Sequence, residues 1–417
     1  MRQVGKRAFG CVGFVVLTLV SVACKSGKSA PAADETPLAP QSASGRLQTP
    51  AVLPAGVTPP LPSPLPGAQQ DVTDLSGGAL HAAIGDLDGD GQVEIVFVDA
   101  DRIWIAHPSG RVVAEAPVPA AIQILRAVDL DGDGRFEIVA GWGRSHAHQG
   151  GTTRITIHRL QGDTLSQELI TAPTTTRQDV ASFVATDSGT LTVAFFESKY
   201  MVKVARARHA ANRWSLEDLA TLRMATTLAW GDVDGDGLMD LVVGRVYGEE
   251  QGGDGDAFVL RPGGQRIPIP TVRGVRGLAV ADLNGDGRNE VYLGDGWHQD
   301  YGKQARGLLS RARWVNGAFE TEILENTPGQ YTLWDILPAD VDGDGRKELV
   351  TRGSSYVRAF RFHQGRWQGL TIAGASRGIA VGELDGIPGD EVLVLGNRST
   401  VVNLRDVAWS EPAPAKP

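Results

Sequence analysis

One acidic, glycine-rich nonapeptide, repeated along the chain, constrains this fold more than any other feature. It stands as Asp86-Leu-Asp-Gly-Asp-Gly-Gln-Val-Glu94, as Asp129-Leu-Asp-Gly-Asp-Gly-Arg-Phe-Glu137 and as Asp232-Val-Asp-Gly-Asp-Gly-Leu-Met-Asp240. It returns as Asp282-Leu-Asn-Gly-Asp-Gly-Arg-Asn-Glu290 and Asp340-Val-Asp-Gly-Asp-Gly-Arg-Lys-Glu348, with a worn copy from Glu383 to Glu391. The copies begin 43, 103, 50, 58 and 43 residues apart. The gap of 103 is about double the others, and a unit that keeps its flanking strands but lacks the acidic turn fills it, from Phe183 to Phe195. Seven units of about 50 residues result, a period that belongs to repeat architectures.

Each turn lies between two apolar segments. The one before it is rich in small residues, as in Leu278-Ala-Val-Ala281 and Ile379-Ala-Val-Gly382. The one after it is continuously apolar, as in Ile95–Val98, Leu241–Val243 and Val392–Leu395. Continuous rather than alternating hydrophobicity means a strand buried on both faces. Two more strand-like stretches follow in most units, for example Arg102–Ala106 and Val112–Ala116. Four strands per unit, with every sheet covered by its neighbours, predict an all-β, seven-bladed β-propeller over residues 71–410. An open β-solenoid is the structural rival, but it would leave sheet edges exposed at its ends. Residues Gln70–Leu75 are placed to supply the outer strand of the last unit and close the ring.

Within each turn, positions 1, 3, 5 and 9 carry oxygen side chains and position 6 is glycine, the arrangement a hard cation favours. The EF-hand shares this opening but needs a Glu at position 12, where this chain has Phe97, Ala140, Val243, Leu293 and Thr351. A set of isolated Asp-Gly turns would also bend a chain. Five copies, each gathering three or four acidic groups, would repel strongly without a cation.

These turns resemble the FG-GAP or VCBS repeat family, whose members include the seven-bladed propeller of integrin α subunits; the resemblance spans roughly residues 75–405. It implies that the acidic loop joins the first two strands of a blade and holds Ca²⁺, about five ions in all. The implied side-chain ligands are Asp86, Asp88, Asp90 and Glu94; Asp129, Asp131, Asp133 and Glu137; and Asp232, Asp234, Asp236 and Asp240. Asp282, Asn284, Asp286 and Glu290, and then Asp340, Asp342, Asp344 and Glu348, complete the set. Backbone oxygens of Gln92, Arg135, Leu238, Arg288 and Arg346 would join them. The seventh unit has Ile387 at position 5 and is expected to hold no ion. The Gly-Ala-Pro that follows the second strand in the family is reduced to Ala140-Gly141, Val243-Gly244 and Leu293-Gly294, which favours the bacterial VCBS-type branch over integrin-like recognition.

The ends of the chain read as address and tether. Arg2, Lys6 and Arg7 precede a short apolar run ending in Ser21-Val22-Ala23-Cys24, which resembles the lipobox of bacterial lipoproteins. Residues 1–23 are then a signal peptide and Cys24 the lipidation site. Plain secretion and an uncleaved anchor helix are the other readings. Residues 24–70, rich in Pro, Ala and Ser, form a disordered tether, and 411–417 a disordered tail. The expected location is the cell envelope, lipid-anchored, with the outer membrane favoured because Lys25 follows the cysteine. Cys11 leaves with the signal, so no disulfide-linked partner is expected.

The net charge of −9 argues against a nucleic-acid binder, which usually shows a basic face. Losing three basic signal residues takes it to −12, and five divalent ions would bring it to −2, so much of the acidity is ligand charge. In a meandering blade, second-to-third connections lie opposite the acidic turns. Three of these are long: residues 142–153, 245–256 and 295–306. Their candidate ligand-binding residues are Trp142, His146, His148, Glu249, Trp297, His298 and Tyr301, aromatic and charged groups suited to a protein or glycan partner. No catalytic residue is assigned, because no nucleophile or zinc signature is present. The expected function is an envelope-anchored binding, adhesion or scaffold module; the alternative is a propeller-fold enzyme acting on extracellular polysaccharide.

Overall fold

The computed structural model describes residues 69–409 apart from 119–121, 143–153, 172–179, 187–188, 199, 211–212, 248–254, 272–273, 296–306 and 328–331. The strands form seven four-stranded antiparallel sheets. Six are consecutive meanders, over residues 81–117, 122–171, 180–223, 225–269, 275–327 and 333–373, numbered here blades 1 to 6. Blade 7 takes three strands from residues 378–402 and its outer strand, Gln69–Asp71, from the other end of the described chain. Within each blade the first strand is innermost and packs on the first strands of neighbouring blades. This is the seven-bladed propeller the repeat predicts. The unit without an acidic turn is blade 3, with Val180–Ala185 paired to Thr190–Phe196. Among the described residues, no helix is long and apolar enough to cross a membrane.

The second strands explain their own composition. Glu94–Val98, Glu137–Trp142, Asp240–Arg245 and Glu391–Leu395 are buried at every position, since sheets pack on both of their faces. The cores lie between adjacent blades, as where Ala83, Val96 and Ile105 of blade 1 meet Ile122, Leu125 and Ile138 of blade 2. Inner strands crowd toward the axis and end in small residues. A Cβ on Gly231 would lie 2.4 Å from Val280 Cγ1 of the next blade, and one on Gly382 would lie 2.5 Å from Ile84 Cγ2. Glycine there sets how closely neighbouring blades approach.

The ring closes through a short seam. Gln69 pairs with Val402 and Asp71 with Thr400, so the outer strand starts at Gln69 rather than Gln70, and only the first part of the expected Gln70–Leu75 strand forms. Thr73–Ser76 instead makes one helical turn that tucks beneath the seam. There the Ser76 hydroxyl donates to Ser399 Oγ at 2.8 Å, both residues fully buried, and Val72 N donates to Ser399 O at 2.9 Å. Arg398 pairs with Asp71 at 2.7 Å. Hydrogen bonds from Thr73, then the arginine, hold the Asp71 carboxyl down at about 2.

Trp142 departs from expectation. It was assigned to a recognition loop, but pairing with Ile122 extends the second strand of blade 2 through it. At 1% exposure it fills the core between blades 1 and 2, so its ring offers no face to a ligand. The other candidate ligand-binding residues, His146, His148, Glu249, Trp297, His298 and Tyr301, lie outside the described residues, as do Cys24 and the segments expected to be signal, tether and tail.

Candidate metal centres on the turn face

The acidic turns share most of their internal hydrogen bonds. The position 1 carboxylate clamps the bend: Asp86 accepts from Gly89 N at 2.7 Å and Gly91 N at 2.9 Å. Asp232 does so from Gly235 and Gly237, and Asp282 from Gly285 and Gly287. Both glycines have positive φ, 79° and 84° in the first turn, which only glycine adopts without strain. Position 5 accepts from the backbone N–H of position 7, as in Asp90 to Gln92, Asp133 to Arg135 and Asp286 to Arg288, so position 7 approaches the turn through its backbone while its side chain stays exposed.

Position 9 is the buried floor. One oxygen of Glu94, Glu137, Asp240, Glu348 and Glu391 accepts the position 2 N–H of its own turn, at 2.7–3.2 Å. In Glu94 this leaves Oε1 buried without a hydrogen-bond partner, and Asp340 Oδ1 in blade 6 is in the same condition. Burial, reinforced by the neighbouring aspartates, pushes Glu94 up to about 7 and Glu348 up to about 8. Buried carboxylate oxygens lacking a partner are costly, and a cation in the turn would satisfy them.

The carboxylates converge accordingly. Asp86, Asp88 and Glu94 bring ligand atoms within 4.8 Å of one another, as do Asp129, Asp131 and Glu137; Asp232, Asp234 and Asp236; and Asp340, Asp342 and Asp344. Glu383, Asp385 and Glu391 of blade 7 converge too. In blade 5 the Asn284 amide bridges the acids, its Nδ2 donating to Glu290 Oε1 at 2.5 Å and Asp286 Oδ2 at 3.1 Å. The donor set is all oxygen, which suits a hard divalent cation.

A basic partner that sequence reading missed reaches most of these turns from the third strand. Register places His107, Arg159, Arg261 and Arg361 next to the position 9 acid of their own blades. Arg159 Nε is 3.1 Å from Glu137 Oε1, Arg361 Nη1 2.7 Å from Asp342 Oδ2, and Arg311 Nη1 3.6 Å from Glu290 Oε1. Arg261 goes deepest, pairing with Asp234 and lying 2.9 Å from Asp240 Oδ1. In blade 7, Arg405 pairs with Asp385 and lies 2.8 Å from Glu391 Oε1, so a guanidinium stands where Ile387 fails to supply a ligand. In blade 1 the basic partner is His107, its Nδ1 3.3 Å from Glu94 Oε1, and the Arg135 side chain of blade 2 lies against Gly89 of the same turn. The signal was present in sequence as a basic residue closing an apolar strand, in Trp104-Ile-Ala-His107 and Phe258-Val-Leu-Arg261.

A ring of blades whose inner hairpins carry acidic turns able to hold a cation defines a class of repeat protein. Residues 86–140, from the first acidic turn to the second strand of blade 2, match the FG-GAP-like repeat family. That segment is an FG-GAP-like repeat, and the propeller containing it is of the FG-GAP type. No curated protein matches the chain.

Proposed function

We propose that this chain is a calcium-stabilised binding module, held at the cell envelope by a lipid on Cys24, that engages a protein or glycan through the face opposite its acidic turns. The observation that carries the calcium reading is the convergence of Asp86 and Asp88 on the buried Glu94, whose Oε1 makes no hydrogen bond and has only the His107 ring beside it at 3.3 Å. A Ca²⁺ ion would be held there by the three carboxylates and the Gln92 carbonyl, and in the other intact turns by their equivalents. The meander topology supports the division of labour, because every acidic turn lies at one end of the inner strands and leaves the other end for recognition.

The test combines thermal melts of the full chain with and without EDTA, mass spectrometry of the N-terminus and retention of envelope extracts. Calcium-dependent melting, an acylated Cys24 and a retained partner are the expected results. A melt indifferent to EDTA would remove the calcium reading, an unmodified Cys24 the lipid anchor, and an empty retention the binding module.

A further inference from the structure

The station beside the position 9 acid carries different chemistry in blade 1. Strand register puts His107 there, where blades 2, 4 and 6 have Arg159, Arg261 and Arg361. A guanidinium stays charged and has no lone pair to give, so it opposes an entering cation. A neutral imidazole keeps one unprotonated nitrogen and is a metal ligand. One station therefore repels an ion in three blades and can bind one in blade 1.

The local geometry supports an ion shared by His107 and the turn. Glu94 is fully buried, and its Oε2 accepts from Leu87 N at 2.9 Å. Its Oε1 lies 3.3 Å from His107 Nδ1 yet makes no hydrogen bond. Two donors side by side, with no proton aligned between them, are what a common cation joins. On a tetrahedral ion with bonds of about 2.1 Å, neighbouring donors stand roughly 3.4 Å apart. Asp86 and Asp88 bring carboxylate oxygens within 4.8 Å of one from Glu94, which completes three oxygens and one nitrogen. Arg135 of blade 2 also reaches this turn, but at the bend, against Gly89. The turn opens on a cavity of about 560 Å³ between blades 1 and 7, lined by Asp90, Gln92, His107, Arg111, Glu383 and Asp385. An ion has a route to the His107 ring through it.

We propose that the turn of blade 1 takes Zn²⁺ in preference to calcium, held by Asp86, Asp88, Glu94 and His107 Nδ1. Calcium takes six to eight oxygen ligands, whereas imidazole with carboxylates suits zinc, for which four donors suffice. In calcium alone the turn holds calcium through its oxygens, and zinc displaces it by adding the nitrogen. The turns of blades 2, 4 and 6 have an arginine at this station and keep calcium. The assignment rests on the metal-binding reading of the turns given above and names the ion that one of them selects.

Calorimetric titration of the full chain with Zn²⁺ in excess calcium, and with Co²⁺ as a coloured substitute, tests the site. Zn²⁺ should bind as one His107-dependent equivalent, at least about tenfold tighter than calcium. Co²⁺ should give the visible absorption of a nitrogen-ligated ion, and Zn²⁺ should bleach it. His107→Gln should weaken Zn²⁺ by about tenfold or more, and His107→Arg, which copies the other blades, should abolish its binding. Both variants should keep a calcium-dependent melt through the remaining turns, which shows that they fold. Asp88→Ala should weaken Zn²⁺ with the His107 ring in place. Zn²⁺ no tighter than calcium, or Zn²⁺ binding indifferent to His107→Gln or to Asp88→Ala, would overturn the proposal. If Zn²⁺ fails while EDTA still lowers the melt, the zinc assignment falls and the calcium reading stands. If Zn²⁺ binds through His107 in a chain whose melt ignores calcium, the zinc site stands and the calcium reading falls.

Discussion

The Arg261 guanidinium occupies the acidic turn of blade 4, its Nη1 2.9 Å from Asp240 Oδ1 and its Nη2 paired with Asp234. A divalent ion entering that turn must displace this group or sit beside it. Like charges about 5 Å apart repel by on the order of 1–3 kcal/mol under surface-like screening. Arg261→Gln should therefore tighten calcium at blade 4 by roughly tenfold, lowering the melting temperature in EDTA and raising it in calcium. Terbium luminescence and paired melts read both effects. Equal affinity in the two proteins would mean the arginine swings clear of the ion.

Calcium removal should destabilise the ring as a whole. At ~1 mM calcium and a dissociation constant of ~10⁻⁴ M, each site adds about 1.4 kcal/mol, so five independent sites would add roughly 7 kcal/mol. EDTA should lower the melting temperature by many degrees. Glu94→Gln should remove a larger share of the calcium effect than Glu391→Gln, because blade 7 already carries Arg405.

Trp142→Ala should act on stability. The ring lies in the core between blades 1 and 2, and deleting a buried Trp costs about 3–5 kcal/mol. Denaturant melts should show that loss with calcium present and absent alike. A stable variant with impaired partner retention would return Trp142 to the recognition surface.

Acid should loosen blade 2 through His158, which is 3% exposed and 3.0 Å from Thr156 Oγ1. Burial lowers its pKa to about 4, so the folded state holds it neutral while the unfolded chain protonates near 6.5. The unfolded state thus binds more protons between these values. This contribution, up to about 3 kcal/mol, is complete above pH 6.5 and is lost as pH falls toward 4. His158→Leu should flatten the melting temperature over that range, measured at fixed calcium.

Much of this architecture was legible because it repeats locally. The acidic turn, the small-residue strand before it and the apolar strand after it lie in one short window, so seven units emerged, including blade 3 without its turn. The closing strand could be placed because the last unit lacked an outer partner. The third-strand basic residues were visible as strand ends, but their acidic partners were not: His107 follows Glu94 by 13 residues and Arg159 follows Glu137 by 22, and only strand register brings them to equivalent places. The register breaks between inner and second strands in blades 2 to 6, at Gln123, Ala181, Thr226, Arg276 and Trp334, are likewise a property of two paired strands. Trp142 was misplaced because the Ala140-Gly141 step read as a strand end, whereas pairing with Ile122 continues past it.

The seam between Gln69–Asp71 and Thr400–Val402 also fixes how the molecule would fail under load. Tension applied through the chain ahead of Gln69 arrives at a strand of three residues, all exposed, before it reaches any complete blade. Beneath that strand, the buried Ser76–Ser399 hydrogen bond and the helical turn of Thr73–Ser76 form a second latch. The ring would therefore yield in stages, the strand peeling first and the serine latch next, while six blades whose strands are contiguous in sequence keep their shape.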